Sequence, residues 1–391
     1  MVKIKYLCKS FSTPLTQENL KEEALYPVYG AAGLMGYMDN YSADKEYIGV
    51  VKDGAGVGRI DKYPEKSSLL GTMAYIFPNE GTDIDWLKYA LMSLELGKNI
   101  GATTIPHIYF SQYGNKYVNT PNYNQQQKIA NFLDSKCASI DAVIEKTKAS
   151  IEEYKKLKQA IITQAVTKGI RPNRKMKDSG IEWIGKIPEK WGIPKIKYMA
   201  QIASGSTPDR NRPEYWNGTI RWIKTGELQN NVITDSEEYI TELALKETSV
   251  SLFAEDTILI AMYGQGKTRG MTALLAAPCT TNQACAGLTI TSKNITVSYL
   301  WKCVMGAYNG IREIAQGTGQ PNLNAKLVSD FHIPLPPIEE QEEIVSFLEK
   351  KIPEINMLIT KKEIILTEME FYKKSLIYEY VTGKKEVSNC Y

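Results

Sequence analysis

Two short loops carry side chains suited to gripping a polyanion. Gly54-Ala55-Gly56-Val57-Gly58-Arg59 and Gly264-Gln265-Gly266-Lys267-Thr268-Arg269 each follow a β-type run, and they share two glycines and an arginine. Glycine lets backbone approach another surface closely. Arginine can bridge guanine O6/N7 or a phosphate oxygen, and glutamine can bridge adenine N6/N7. Lys52, just ahead of the first loop, joins Arg59, Gln265, Lys267 and Arg269 as a candidate DNA contact. A second polar region, Ser204 to Arg212, adds Ser206, Thr207, Arg210 and Arg212, and Lys224 follows with Tyr215, Trp216 and Trp222 nearby. Hydroxyls beside arginines suit a loop that faces a groove. Two plainer readings stand beside these: a glycine-rich hairpin with a solvated arginine, and a turn packed by its own aromatics.

Catalytic chemistry has little to work with. The chain holds only His107 and His332, so neither an HExxH site nor a Cys/His zinc spacing can be assembled. No GxSxG elbow occurs. Gly264-Gln265-Gly266-Lys267-Thr268 resembles half of a phosphate-binding loop, but the required first glycine is replaced by Ala261. No Asn- or Asp-Pro-Pro-aromatic tetrapeptide is present. Six cysteines without a CxxC pair are read as reduced thiols, no long apolar run suggests a membrane span, and a cytoplasmic location is expected.

The elements that position these loops are written twice. Lys3-Ile4-Lys5-Tyr6 returns as Lys195-Ile196-Lys197-Tyr198, and Trp86 to Thr167 aligns without a gap on Trp301 to Thr382. Such duplication sets the architecture: a mixed α/β chain with two related globular domains and two long antiparallel helices. The expected divisions are 1–119, a helical region 120–171, a linker and second domain 172–335, and a helical region 336–391. Tyr47-Ile48-Gly49-Val50-Val51 and Met73-Ala74-Tyr75-Ile76-Phe77 read as strands, and Asp83 to Leu96 as a helix capped by Asp83.

Steps of three or four link Ile140, Ile144, Ile151, Tyr154 and Ile161 in one copy and Ile355, Ile359, Leu366, Met369 and Leu376 in the other. This is the seam of a helix pair. Pro353 is expected to divide the second helical region into an arm and a rod, since proline fits best in a helix's first turn. A rod of roughly 28 residues would be about 42 Å long, near one turn of duplex between half-sites. The net charge is only +3, but Lys155, Lys156, Lys158, Lys168, Arg171, Arg174, Lys175 and Lys177 gather at the end of the first helix. That cluster is either a phosphate-facing surface or a solvated helix end.

Several phrases, in this order within a duplication, resemble the specificity (S) subunit of type I restriction–modification systems. They are Tyr26-Pro27-Val28-Tyr29-Gly30, the linker Ser179 to Trp191, Ser206-Thr207-Pro208 ahead of Tyr215-Trp216, Gln320-Pro321-Asn322-Leu323-Asn324, and Pro336-Pro337-Ile338-Glu339-Glu340-Gln341. The resemblance implies two target-recognition domains, each reading half of a bipartite, asymmetric site in double-stranded DNA. It also implies two methyltransferase subunits docked along the helices, supplying S-adenosylmethionine and catalysis, and a motor-nuclease subunit that can join them. This chain itself would hold no cofactor and no metal and would not be an enzyme. The first domain departs by being shorter, and its Thr13-Pro14 turn lacks the arginines found at 210 and 212. The competing reading is a coiled-coil scaffold whose globular domains bind protein rather than DNA.

Overall fold

The computed structural model describes residues 1–54, 56–98, 106–264, 266–317 and 322–387. Gln265, Pro321 and Cys390 lie outside them. The chain divides into two compact units, Met1–Ala149 with Lys362–Tyr391, and Ser150–Lys361.

In the first unit an antiparallel sheet has the order β1 (Cys8–Ser12), β7 (Met73–Pro78), β4 (Tyr47–Val51), β5 (Ile60–Tyr63). The β4 run Tyr-Ile-Gly-Val-Val is buried throughout, as a central strand covered on both faces must be. A smaller sheet has the order β3 (Gly33–Met38), β2 (Tyr26–Gly30), β6 (Ser68–Leu69), with β2 and β6 parallel. Helix α1 (Ile84–Met92) begins where Asp83 accepts the Trp86 N–H at 2.8 Å, so the sequence-expected cap is present, and it buries Trp86, Tyr89 and Ala90.

The second unit repeats this plan and extends it. Its large sheet has the order β8 (Ala200–Ser204), β15 (Cys285–Ile290), β12 (Ile258–Ala261), β13 (Thr272–Leu275), β10 (Asn231–Ile233), and its small sheet β11 (Glu238–Ile240), β9 (Trp216–Ile223), β14 (Thr280–Thr281). Again the last two strands of the small sheet run parallel. The first domain's shortness now has a location: β10 and helix α3 (Glu242–Glu247) have no counterpart among its described residues. Lys-Ile-Lys-Tyr folds identically in both copies. Each forms a 3₁₀ turn with its isoleucine fully buried and its tyrosine about 65% exposed.

One alignment pair needs correcting. Helix α4 (Val297–Gly306) is capped by Thr296, which accepts the Tyr299 N–H. The Asp83 N–H donates to the Gln126 side chain at 2.8 Å, and the Thr296 N–H donates to Gln341 at 2.9 Å. The counterpart of Trp86 is therefore Tyr299 rather than Trp301, and two residues are inserted before the shared glutamine. Both glutamines are buried and also donate to a proline carbonyl, Pro121 or Pro336, at 2.9 Å.

Two long helices complete the units: α2 (Tyr123–Lys168) and α7 (Ile338–Val381), with the short α5 (Tyr308–Glu313) and α6 (Ala325–Asp330) between them in sequence. Pro353 lies inside α7, so the expected division into arm and rod does not occur. Proline removes one N–H and crowds the carbonyl four residues back. Here it sits on an exposed position, while Ile344 and Leu348 before it and Ile355 and Ile359 after it are buried. At about 1.5 Å per residue the helices extend roughly 69 and 66 Å, well beyond the 42 Å rod.

Within the first unit Ile140 and Ile144 pack with Leu366, Met369 and Leu376, and Asp141 pairs with Lys373 at 2.7 Å. Within the second, Ile151, Tyr154 and Ile161 cluster with Ile355 and Ile359, and Lys158 donates to Asn356 at 3.0 Å. From the Asp141–Lys373 contact to the Lys158–Asn356 contact the numbers rise along α2 and fall along α7, the mark of antiparallel pairing.

Candidate nucleic-acid interface

The polar turn after β8 is pinned by close backbone contact. A Cβ at Gly205 would lie 2.3 Å from the Thr281 carbonyl oxygen, so only glycine fits. The Ser206 N–H donates to that same carbonyl at 2.9 Å. Trp222 and Trp216 hold the turn by donating their indole N–H groups to the Ser206 and Asp209 carbonyls, each at 3.1 Å. The tryptophans thus pack the turn, as the plainer reading expected, and they also present it.

Arg210 lies over Trp216 and Trp222, its guanidinium 3.7 and 4.8 Å from their centroids, and pairs with Glu238 at 2.5 Å. Arg212 covers Tyr215 and pairs with Glu214 at 2.8 Å and Glu247 at 3.4 Å. Lys224 pairs with Glu237 at 2.8 Å and Glu238 at 3.0 Å. The Ser206 hydroxyl is 3.1 Å from that of Ser249, and Thr207 donates to Gln283. Thr207, Arg210, Trp222, Lys224, Glu237 and Asn282 line a cleft of about 600 Å³. The structure thus brings Thr207, Arg210 and Lys224 together, already partnered. Sequence reading missed the carboxylates, although the acidic run Asp235-Ser236-Glu237-Glu238 is visible in the chain. Hydrogen bonds from Arg210 hold the Glu238 carboxyl below its usual range, and the paired glutamates push the Lys224 amine up.

The second glycine loop joins β12 to β13 and is held from outside. Arg312 donates to the Gly266 and Arg269 carbonyls at 2.8 and 2.7 Å, and the Tyr308 hydroxyl donates to the Lys267 carbonyl at 2.7 Å. The Lys267 amine lies 3.7 Å from Glu152 on α2. The equivalence of Arg59 with Arg269 fails. The Gly58 N–H donates to the Val51 carbonyl and the Val51 N–H to the Arg59 carbonyl, just as the Gly270 N–H donates to Ala261 and the Ala261 N–H to Met271, with φ of 84° and 85° at the two glycines. Arg59 therefore matches Met271, and Arg269 matches Val57. Counting glycines misled because the second loop is two residues longer. Arg59 donates to the Ala31 carbonyl at 2.6 Å, and Lys52 to the Ser12 hydroxyl at 3.3 Å. Beside them His107 bonds Asp53 through Nδ1 and lies 4.0 Å from the Tyr109 ring.

Part of the basic cluster at the end of α2 is engaged by carboxylates. Arg171 pairs with Glu343 at 2.6 Å, and Arg174 reaches the buried Glu340, which also accepts the Trp191 indole N–H at 3.2 Å. Lys155 pairs with Glu152. Among the described residues no group of three or more His, Cys, Asp or Glu could hold a metal ion. The five described cysteines are free and buried, and burial pushes the Cys8, Cys279 and Cys303 thiols up to about 12.

Paired α/β folds that present polar loops and adjoin antiparallel helices define a duplicated recognition architecture. Residues 1–153 and 188–368 match the type I restriction modification DNA specificity domain, and the chain belongs to that family, as the sequence resemblance indicated. It is 37% identical over 173 residues to the type I restriction enzyme MjaIX specificity subunit of Methanocaldococcus jannaschii, covering 42% of this chain and 38% of that protein. It is 29% identical over 214 residues to the EcoR124I/EcoR124II specificity subunit of Escherichia coli, covering 52% and 50%. These two matches thus span half or less of each relative. The MjaVIII specificity subunit of M. jannaschii matches at 25% over 347 residues, 86% of this chain and 78% of that protein. A solved structure concerned with complex assembly and conformational transition of the type I R-M system shares the fold, with a TM-score of 0.71 at 12% identity, covering 98% of this chain and 97% of that one.

Proposed function

We propose that this chain is the DNA sequence-specificity subunit of a type I restriction–modification assembly and carries out no catalysis of its own. Residues 1–119 and 172–335 are the two target-recognition domains, each reading one half of a bipartite, asymmetric site. The observation that carries this reading is the recurrence, on one α/β plan, of a glycine hairpin with Arg59 in one copy and Lys267 and Arg269 in the other, joined in the second domain by a turn after the first sheet strand that bears Arg210 and Arg212. S-adenosylmethionine belongs to two partner methyltransferase subunits, and a motor-nuclease subunit joins for restriction. The setting is the cytoplasm; no described helix is long and apolar enough to cross a membrane.

The seam residues Ile140, Ile144, Ile151, Leu366 and Leu376 are occupied by each other, so partners dock elsewhere on the helices. In the first unit α7 exposes Ile364, Ile365, Phe371 and Tyr372, with Phe371 73% exposed. Residues seven apart share a helix face, and this face is the methyltransferase seat.

Methylome sequencing of a host that expresses this chain with its cognate methyltransferase tests the reading. The expected result is adenine methylation at a two-part motif with a fixed gap. Absence of any new motif despite a copurifying complex overturns it. A scaffold that binds protein would instead show affinity insensitive to salt, because phosphate contacts weaken steeply as salt rises.

A further inference from the structure

The second recognition domain carries its own substitute for phosphate. Leading into β11 runs Asp235-Ser236-Glu237-Glu238, whose last residue opens that strand, in the stretch where this domain is longer than the first. Its carboxylates meet the cations around the cleft: Asp235 is 3.5 Å from Arg221, Glu237 is 2.8 Å from Lys224, and Glu238 reaches both Lys224 and Arg210. The segment is fastened rather than loose. Glu227 accepts the Lys224 and Glu237 N–H groups on its two carboxylate oxygens, at 2.8 and 3.2 Å, and Tyr239 donates to Asp235. Strand pairing then sets Glu238 opposite Trp222, beneath Arg210.

We propose that this acidic segment is a built-in competitor for DNA, holding Arg210, Arg221 and Lys224 until a matching half-site displaces it, so that Glu237 and Glu238 set specificity. The inference rests on the DNA-reading function proposed above and adds a mechanism of discrimination to it. Non-specific affinity comes from phosphates neutralised by basic side chains. A cation already paired gains less from a phosphate, so a random duplex binds weakly. Pairs this exposed are individually weak, and a duplex that also offers base-edge contacts can displace them. Lys52 and Arg59 of the first domain make no ion pair among the described residues, so the effect belongs to one half-site.

The test uses the full chain in complex with its methyltransferase subunits. Binding to a cognate duplex and to a scrambled duplex of equal length is titrated against salt for the native protein, Glu237→Gln, and Glu237→Gln with Glu238→Gln. Scrambled-duplex affinity should rise roughly two- to fivefold per carboxylate removed. The slope of log K against log salt should steepen by about one unit per freed cation, and the cognate-to-scrambled ratio should fall. Mismatches in the second half-site should then cost less than before, while those in the first cost the same. Glu255→Gln, an exposed charge change in the same domain, is the control. Unchanged scrambled-duplex binding and slope overturn the inference, as does an equal gain from Glu255→Gln. If the double variant melts early, the exposed Glu237→Gln alone decides. A native complex that binds neither duplex overturns the DNA-reading function itself.

Discussion

Asp61 shows how a partly desolvated charge becomes measurable. It lines a cavity of about 280 Å³ with Lys88, Asp134, Cys137, Asp141 and Lys373, and partial desolvation raises its carboxyl above 3.8 despite Arg59, Lys88 and Lys373 nearby. A raised folded-state value means that the protonated form supports the fold. That support is complete below pH 3.8 and is lost as pH rises through the folded value. Asp61→Asn should therefore raise the melting temperature at pH 7 and flatten its dependence on pH in the mildly acidic range. Equal melting curves for both proteins across that range would refute the assignment. Arg312 offers a second test, because two of its N–H groups hold the carbonyls of the glycine loop. Hydrogen bonds from a charged group are worth about 1.5–3 kcal/mol. Arg312→Ala should weaken cognate binding about tenfold or more, with the loss traced by competition to the second half-site.

At the scale of elements, the two helices repeat one contact with different chemistry. Lys158 and Lys373 are alignment partners, as are Asp141 and Asn356. Lys373 meets a carboxylate at 2.7 Å; Lys158 meets an amide at 3.0 Å, and burial together with Lys155 pushes its amine down. Asn356→Asp should restore the ion pair and add about 0.5–1 kcal/mol, seen as a rise of about 1–4 °C in melting temperature. No rise, or a fall, would show that desolvation outweighs the new attraction. Pro353→Ala should stabilise α7 as well, by up to about 3 kcal/mol, since it returns a helical N–H and a better helix former. The helix seam was legible because isoleucine spacing reports a face directly. The uninterrupted α7 was not, because local proline preference gave way to packing on both sides of residue 353.

For the whole molecule, duplication was readable in sequence while its fine register was not. Lys-Ile-Lys-Tyr and the glutamine after each proline could be matched by eye, yet Trp86 was set against Trp301 instead of Tyr299, since identity outranked capping geometry. Of the second-domain side chains named as DNA contacts, Thr207, Arg210 and Lys224 line one cleft, but their glutamate partners depend on strand pairing across β9 and β11, which no local pattern encodes. Assembly gives the test at this scale. Phe371→Glu should leave melting unchanged, since the ring is exposed, and should sharply reduce copurification with the methyltransferase. Full copurification would place the docking face elsewhere on the helices.

The paired glutamines, Gln126 and Gln341, carry a consequence for how such a chain changes over generations. Each joins a helix start, a proline and a long helix through the same bonds, so the socket is standardised while its contents vary. A gene built this way can acquire a new target by exchanging a whole cassette between those fixed joints, without searching through altered side chains one at a time.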